Sequence, residues 1–306
     1  MDPLPSLNYA ADTTVALIFE AARRGYELYF YEPHQLIWTN DQVQAPLFPL
    51  TIDTAMMPPL ILKAPEKRNL SDMDVIWIRQ NPPFDLGYFT NTYLLESLPP
   101  TTLVLNAPQG VRNAPEKLLI TKFAHLMPPT LITEDPREIT FFQEQHGDIV
   151  LKPLYEFGGA GIFYLKLGDV NLAVTMEMMC KSYPNQPWMA QKFLPEVHQG
   201  DKRLLLLDGE LIGGFSRVPA ENSIRSNLVQ GGQGQPYQPT ENDKKICQEL
   251  APLLKEMGLF FVGLDIIGDY LTEINVTSPT GIQMLNKFNK MHVERLVWDK
   301  VLEKRV

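Results

Sequence analysis

The chain has 306 residues, of which 44% are hydrophobic and 21% charged, enough for a real core and for two domains or one large one. A formal net charge of −9 without any run of Lys or Arg argues against a nucleic-acid surface, so a bound polyanion would have to be met by a few placed cations. Met1 to Ser6 does not read as a signal peptide, no apolar run approaches the roughly 18 residues of a membrane helix, and the two cysteines, Cys180 and Cys247, lack metal spacing and fit a reducing cytoplasm.

Asp12 reads as an N-cap. Val15, Ile18, Phe19 and Ala22 follow with helical spacing, and Gly25 supplies a stop. Tyr26 to Tyr31 reads as a strand, and His34 to Trp38 with Gln42 to Ala45 as a hairpin around Asn40 and Asp41. Val75 to Ile78 and Thr102 to Leu105 are short apolar runs, as in buried parallel strands. Strands alternating with helices predict an open doubly wound domain. In such sheets ligands sit beyond the carboxyl ends of strands, which places Arg79 to meet an anion, although a local acid is an equal partner for it. No apolar strand precedes the first helix, where an open α/β domain usually begins with one; the expectation is a missing first strand.

Asn113 to Leu126 reads as a helix with Lys117 in its first turn, where a cation opposes the helix dipole. Thr130 to Thr133 is a predicted strand, and Asp135 with Pro136 opens a helix to His146. Ile149 to Leu151 forms a strand ending at Lys152. The turn Phe157, Gly158, Gly159, Ala160, Gly161 and a strand to Leu165 follow. Lysine at a strand end before such a turn can clamp phosphates, because glycines let backbone amides approach the oxygens. It is not a P-loop, since the lysine precedes the glycines, and an ordinary hairpin fits the same residues. A helix from Asp169 to Cys180, a strand Trp188 to Phe193, and a hairpin of Leu204 to Leu207 with Leu211 to Phe215 come next. Pro219 to Pro239 is polar and glycine-rich, the composition of a lid or a disordered loop. Thr240 with Asp243 opens a helix to Gly258, and Asn286 to Lys304 reads as a single closing helix.

Phe260 to Thr280 is the most informative stretch. Two apolar runs flank Gly268 and Asp269, but Asp265 interrupts the first, and Glu273 and Asn275 interrupt the second. Glu273 and Asn275 share one face of a strand. If Asp265 faces the same way, three oxygen donors converge, a set that suits Mg²⁺. A plain two-residue turn would pair Asp265 with Thr272, so a shared site needs a longer connection or a bulge. A hairpin whose acids simply face water is the competing reading.

Together Lys152, the loop Phe157 to Gly161, Gln191 with Leu194, and the Asp265, Glu273, Asn275 set resemble the ATP-grasp superfamily. Asp201 to Arg203, Arg225 to Gly234 and above all Val262 to Thr280 resemble the prokaryotic glutathione synthetase family. Ala21 to Leu28 and Pro82 to Asp85 carry the likeness into the early chain, so it runs from Met1 to about Thr280. The resemblance implies an ATP-grasp fold behind an open doubly wound N-terminal domain, with divisions at 1–112, 113–190 and 191–306. It implies Lys117 and Lys152 on the ATP phosphates and Phe157, Gly158, Gly159 and Gly161 as a small lid. Gln191 and the backbone at Phe193 and Leu194 would meet adenine, and Asp201 the ribose. Asp265, Glu273 and Asn275 would hold Mg²⁺, or Mn²⁺ in its place. Arg203 and Arg225 would face the transferred phosphate and acyl group. Arg79, Ser278 and Pro279 would border the substrates γ-glutamylcysteine and glycine. The implied protein is a cytoplasmic homo-oligomer, a tetramer in the family pattern, with neither a nucleic-acid nor a membrane partner.

The chain departs from the family pattern at Gln80 and Asn81, where Lys and Asp are usual, at Lys192, where Asn is usual, and at Gln233, where Arg is common. Each changes charge near bound anions and puts substrate affinity in question. Two other functions stand beside glutathione synthesis: a carboxylate–amine ligase with another acyl donor or acceptor, and a non-catalytic ATP-binding module of the synapsin sort. Lys152, Arg225, Asp265, Glu273 and Asn275 are all present, which disfavours the latter.

Overall fold

The computed structural model of the chain describes residues 1–221, 223, 226 and 231–305. The first helix, α1 (Thr13–Arg23), starts where Asp12 accepts from the Thr14 amide. Strands β1 (Leu28–Phe30), β2 (Ile37–Thr39), β3 (Gln42–Ile52), β4 (Leu60–Leu62) and β5 (Glu66–Asn69) form an antiparallel sheet, with β3 pairing to each of the others. Beyond it β6 (Val75–Trp77), α2 (Leu86–Glu96), β7 (Leu103–Leu105) and α3 (Pro108–Arg112) follow. Among the described strands, parallel pairing is confined to β6 and β7. The N-terminal region therefore differs from an open doubly wound sheet: β1 joins β3 rather than β6. A cavity of about 490 Å³ lies between β1 and β6, lined by Met1, Ile18, Tyr29, Ile76 and Trp298. Residues before α1 hold a single 3-10 turn, Leu4–Ser6, and no strand.

Strand β8 (Thr130–Thr133), α4 (Pro136–His146), β9 (Ile149–Pro153), β10 (Phe163–Leu165), α5 (Leu172–Ser182) and β11 (Trp188–Lys192) make a second unit. Its antiparallel sheet runs β10-β9-β11-β8, and α4 and α5 cover it through Ile139, Phe142, Met176 and Met179. A third sheet, β14-β13-β12-β15-β16, joins β12 (Asp201–Leu207), β13 (Glu210–Val218), β14 (Gln233–Pro236), β15 (Phe261–Ile267) and β16 (Tyr270–Asn275). Helix α6 (Glu241–Glu256) begins with a reciprocal box of Thr240 and Asp243, and α7 (Ile282–Asn289) and α8 (Val293–Arg305) close the chain.

Two expected helices are corrected. Asn113 to Leu126 is not continuous: after α3 the chain turns around Pro115, and a 3-10 segment, Leu119–Leu126, bends at Phe123 (φ −123°, ψ 47°). Proline removes a donor and fixes its own φ, so the helical period of the apolar residues is not enough to carry a helix through. Lys117 thus sits in a turn and not in a helix. The closing helix is two, because Lys290 takes a left-handed conformation (φ 52°) between them.

The third sheet carries the largest apolar faces. Leu204, Leu206, Leu264 and Ile274 pack with α6 and with Ile76, Tyr88 and Ile120, while Leu205, Phe261 and Val297 pack with Leu17 and Leu105. Asn106 follows β7 and is buried. Its side chain accepts from the Phe261 amide at 2.8 Å and donates to the carbonyls of Phe261 and Val276 at 2.9 and 2.7 Å.

Candidate active site

The turn at Gly268 and Asp269 pairs Ile267 with Tyr270 and Ile266 with Leu271. The register then slips by one, so that Asp265 lies opposite Glu273 and Gly263 opposite Asn275. Thr272 is the extra residue, and its hydroxyl donates to the Asp265 carbonyl at 3.0 Å. A bulge of this kind re-aims side chains. Here it turns Glu273 to the face that carries Asp265, and the Asn275 amide comes within 3.2 Å of Asp265 Oδ2.

Asp265 is buried, and Arg203 from the neighbouring β12 meets it in a fork, with Nε at 2.5 Å from Oδ1 and Nη2 at 2.8 Å from Oδ2. Gly263 makes room for that arginine, since a Cβ there would come to 3.2 Å of Arg203 Cδ. Arg217, at the end of β13, reaches Asp265 Oδ2 at 2.9 Å and also pairs with Asp201 Oδ2. Ser226 donates to the same Asp201 oxygen at 2.7 Å. Burial pushes both acids up. Arg203 and Arg217 outweigh it at Asp265, whose carboxyl is held well below the usual range. At Asp201 burial prevails over Arg217, and the carboxyl rises to about 6. Asp201 Oδ1 and Arg217 Nε are buried with no partner among the described residues, polar capacity beside the cleft that a polar ligand would satisfy.

Two lysines face these acids. Lys117 Nζ is 3.3 Å from Glu273 Oε1 and donates to the Glu156 carbonyl. Lys152, near the end of β9, is buried, and burial pushes its ammonium down to about 8; Glu273 opposes the fall and Lys117 adds to it. One cleft is lined by Lys117, Lys152, Gly159, Gln191, Phe193, Leu194, Asp201, Asp265 and Glu273. Two cations lining one cleft favour an anion with several oxygens. The donor set of two carboxylates and an amide is all oxygen and fits a hard divalent cation. Among the described residues no three His, Cys, Asp or Glu side chains are grouped so as to hold a metal ion; the Asn275 amide would add a third oxygen to Asp265 and Glu273.

The other expected positions are scattered around this cleft. Gly158, Gly159 and Gly161 all have positive φ, and Phe157 is 41% exposed. Gln191 donates to Thr130 Oγ1 at 3.0 Å, and the Phe193 amide is engaged by the Asp148 carbonyl at 2.8 Å, which leaves the Phe193 amide no free donor for a base. Arg79 is buried away from the cleft. It donates to Thr14 Oγ1 and the Pro279 carbonyl, each at 3.0 Å, and burial lowers it to about 10. Arg203 Nη1 donates to the Thr280 carbonyl at 3.3 Å, and Ser278 is half-buried in the same loop. Arg225 lies outside the described residues.

Sequence reasoning missed Arg217 and Glu116. Arg217 is directly across from Asp201 in the β12–β13 ladder, and a cation ending an apolar strand was its available signal. Glu116 Oε1 accepts from the Val276 and Thr277 amides and the Thr277 hydroxyl. Burial and the nearby Glu273 push its carboxyl up.

Comparison with known proteins places the chain as a whole. The family description "Prokaryotic glutathione synthetase, N-terminal domain" matches residues 1–112, and "Prokaryotic glutathione synthetase, ATP-grasp domain" matches residues 116–290. A glutathione synthetase of Agrobacterium fabrum is 47% identical over 305 residues, covering 100% of this chain and 95% of that one. One from Brucella melitensis is 46% identical, covering 100% and 97%, and one from Escherichia coli O157:H7 is 41% identical, covering 98% and 96%. Among solved structures, the macrocyclase MdnC of Microcystis aeruginosa superposes with a TM-score of 0.62 at 16% identity, covering 97% of both chains. A RimK domain ATP-grasp protein of Sphaerobacter thermophilus gives 0.62 at 15%, covering 94% of both. The likeness to these two is one of fold. With both domains matched and nearly half of its residues shared with full-length relatives, the chain belongs to the prokaryotic glutathione synthetase family and has the ATP-grasp fold.

Proposed function

We propose that this enzyme is an ATP-dependent ligase that joins γ-glutamylcysteine to glycine and releases glutathione, ADP and phosphate. The observation that carries the reading is the 47% identity to a glutathione synthetase across the whole chain. The cleft where Lys117 and Lys152 face Asp265 and Glu273 supports it chemically.

A carboxylate is a poor electrophile, so the cysteinyl carboxylate must first be phosphorylated, and glycine's amine then displaces phosphate. Lys117 and Lys152 bind and orient the nucleotide phosphates. Asp265, Glu273 and Asn275 would hold a divalent cation, Mg²⁺ or Mn²⁺ in its place, which when bound would supply positive charge beside the transferring phosphoryl group. Gln191 and the chain at Phe193 and Leu194 border the base, and Asp201 the ribose. Arg203 stands beside the phosphoryl group. Arg225 stabilises the oxyanion formed as glycine adds. The glycine turn at Gly158 to Gly161 and residues 225–234 exclude water, which would otherwise hydrolyse the acyl phosphate. Ser278 and Pro279 border the substrate carboxylates, and Arg79 fixes that loop from behind through the Pro279 carbonyl. The divisions at 1–112, 113–190 and 191–306, a homo-oligomeric state and a cytoplasmic location belong to the same proposal. No described helix is long and apolar enough to cross a membrane.

The test is ADP release with Mg-ATP, γ-glutamylcysteine and glycine, each omitted in turn, with the product identified by mass. ADP and glutathione formed only with all components are expected. Turnover with a different amine or acyl donor, and none with this pair, overturns the substrate assignment.

A further inference from the structure

Strand β16 is the edge of its sheet, so the outward amides beyond Glu273 need partners from outside the sheet. Glu116 supplies them. Its backbone carbonyl accepts from the Ile274 amide at 3.1 Å. Its side-chain Oε1 accepts from the amides of Val276 and Thr277 at 3.0 and 3.1 Å, and from the Thr277 hydroxyl at 2.7 Å. These contacts bracket Asn275 on both sides. The next residue is Lys117, whose ammonium is 3.3 Å from Glu273 Oε1. One short segment thus grips the end of the strand that carries two oxygen donors and presents a lysine to the cleft. Glu116 has no group of its own in the cleft lining, so its effect passes through its neighbours.

We infer that Glu116 is a positioning residue, holding the Glu273–Asn275 end of β16 against Lys117 so that the cation-binding oxygens and the phosphate-binding ammonium keep a fixed separation. The inference rests on the proposed ATP site. It places the consequence of losing Glu116 on metal–nucleotide binding, read without the amino-acid substrates, because Ser278 follows Thr277 directly and borders their carboxylates in the proposed site. A merely structural role would lower stability and leave the Mn²⁺–analogue affinity of the folded protein unchanged.

The experiment compares Glu116→Ala and Glu116→Gln in the full chain. Mn²⁺ binding in the presence of a non-hydrolysable ATP analogue is followed by electron paramagnetic resonance, and the KM for Mg-ATP by ADP release. Glu116→Ala is expected to weaken Mn²⁺–analogue binding and raise the KM for Mg-ATP at least tenfold. Glu116→Gln keeps an oxygen that accepts from the same donors and is expected to remain within threefold of the parent. A folded Glu116→Ala protein with parental Mn²⁺–analogue affinity overturns the inference. Should Glu116→Ala fail to fold, Thr277→Val removes one donor and leaves the two amides. It is expected to weaken Mn²⁺–analogue binding about threefold, and parental affinity there overturns the inference. A parent that binds Mn²⁺ and the analogue but makes no glutathione refutes the reaction alone, because the binding comparison still reads Glu116. A parent that binds neither refutes both.

Discussion

Replacing Asp265 by Asn removes the carboxylate shared by Arg203 and Arg217, leaving buried Arg203 without an anionic partner and Arg217 with Asp201 alone. The nitrogen–oxygen separations are 2.5, 2.8 and 2.9 Å. Charge centres about 4 Å apart at an effective dielectric of about 20 attract by about 4 kcal/mol each, so about 8 kcal/mol in all. Desolvation of three ions offsets much of this, and removing one partner of such a cluster costs about 3–5 kcal/mol net. That is a large part of the roughly 5–15 kcal/mol that keeps a protein folded. The assay is urea unfolding at pH 7 with EDTA, so that no cation contributes. Asp265→Asn should lose about 3–5 kcal/mol. Adding Arg203→Met relieves one stranded cation, so the double variant should be no less stable than the single. The pH dependence has a definite sign. The two arginines hold the folded Asp265 carboxyl below its ordinary 3.8, so its contribution is complete above about pH 4 and fades as the pH falls below that. The gap between parent and variant should therefore narrow on acidification. A loss under about 1 kcal/mol at pH 7, or strict additivity in the double variant, refutes the reasoning.

Lys152, at about 8 in the free protein, should regain its proton when a triphosphate binds beside it. Calorimetry of ATP binding at pH 8 in buffers of different ionisation enthalpy should show net proton uptake, and identical enthalpies would show that Lys152 is not the responding group. Gly110→Ala would put a Cβ 2.0 Å from the Met257 carbonyl oxygen, a backbone atom that cannot swing aside. A loss of about 3 kcal/mol or more is expected in thermal melts, and a parental melting temperature would deny the close approach of α3 to the end of α6. Gly158→Ala meets nothing within 4 Å but sits at φ +62°, so its cost should be only about 1–2 kcal/mol, together with weaker ATP binding; a loss as large as that of Gly110→Ala would contradict the open turn. Arg225→Ala should lower turnover by about 10²–10³ while ATP binding persists. Near-normal turnover would remove it from the reaction.

The candidate site was legible to the extent that local spacing dictates it. Asp265, Glu273 and Asn275 interrupt apolar strands, and the strand period alone required a bulge or longer connection if they were to meet; the slip at Thr272 supplies the bulge. Lys152 before a glycine turn was similarly visible. The partners of Asp265 were not, because Arg203 and Arg217 reach it across strands whose register depends on the whole sheet. Helix α2 went unread because apolar Leu86, Phe89, Tyr93 and Leu95 spread around it, so no single face stood out. The helix expected at Asn113 to Leu126 had the right apolar period but lost to Pro115 and the bend at Phe123. Glu116 was invisible for a different reason: an acid next to a lysine in sequence looks like a surface pair, and only the fold brings the edge of β16 to it.

Asn106 and the apolar cluster around it bear on how the molecule comes apart. Leu17 and Leu105 share one core with Leu205, Phe261 and Val297, and the Asn106 amide is bonded to both β15 and the residue after β16. The Trp298 indole also donates to the Leu17 carbonyl at 3.0 Å, so the last helix is fastened to the first. Residues 1–112 have a cluster of their own around Phe30 and Leu50, but the core beneath β6 and β7 is shared with the rest of the chain. Detached, they would expose the apolar sides of Leu105 and Trp77. In the whole chain, the amides of β7 and β15 should exchange with solvent through one common opening, at one free energy, so that β6–β7 and the β15–β16 hairpin are lost together.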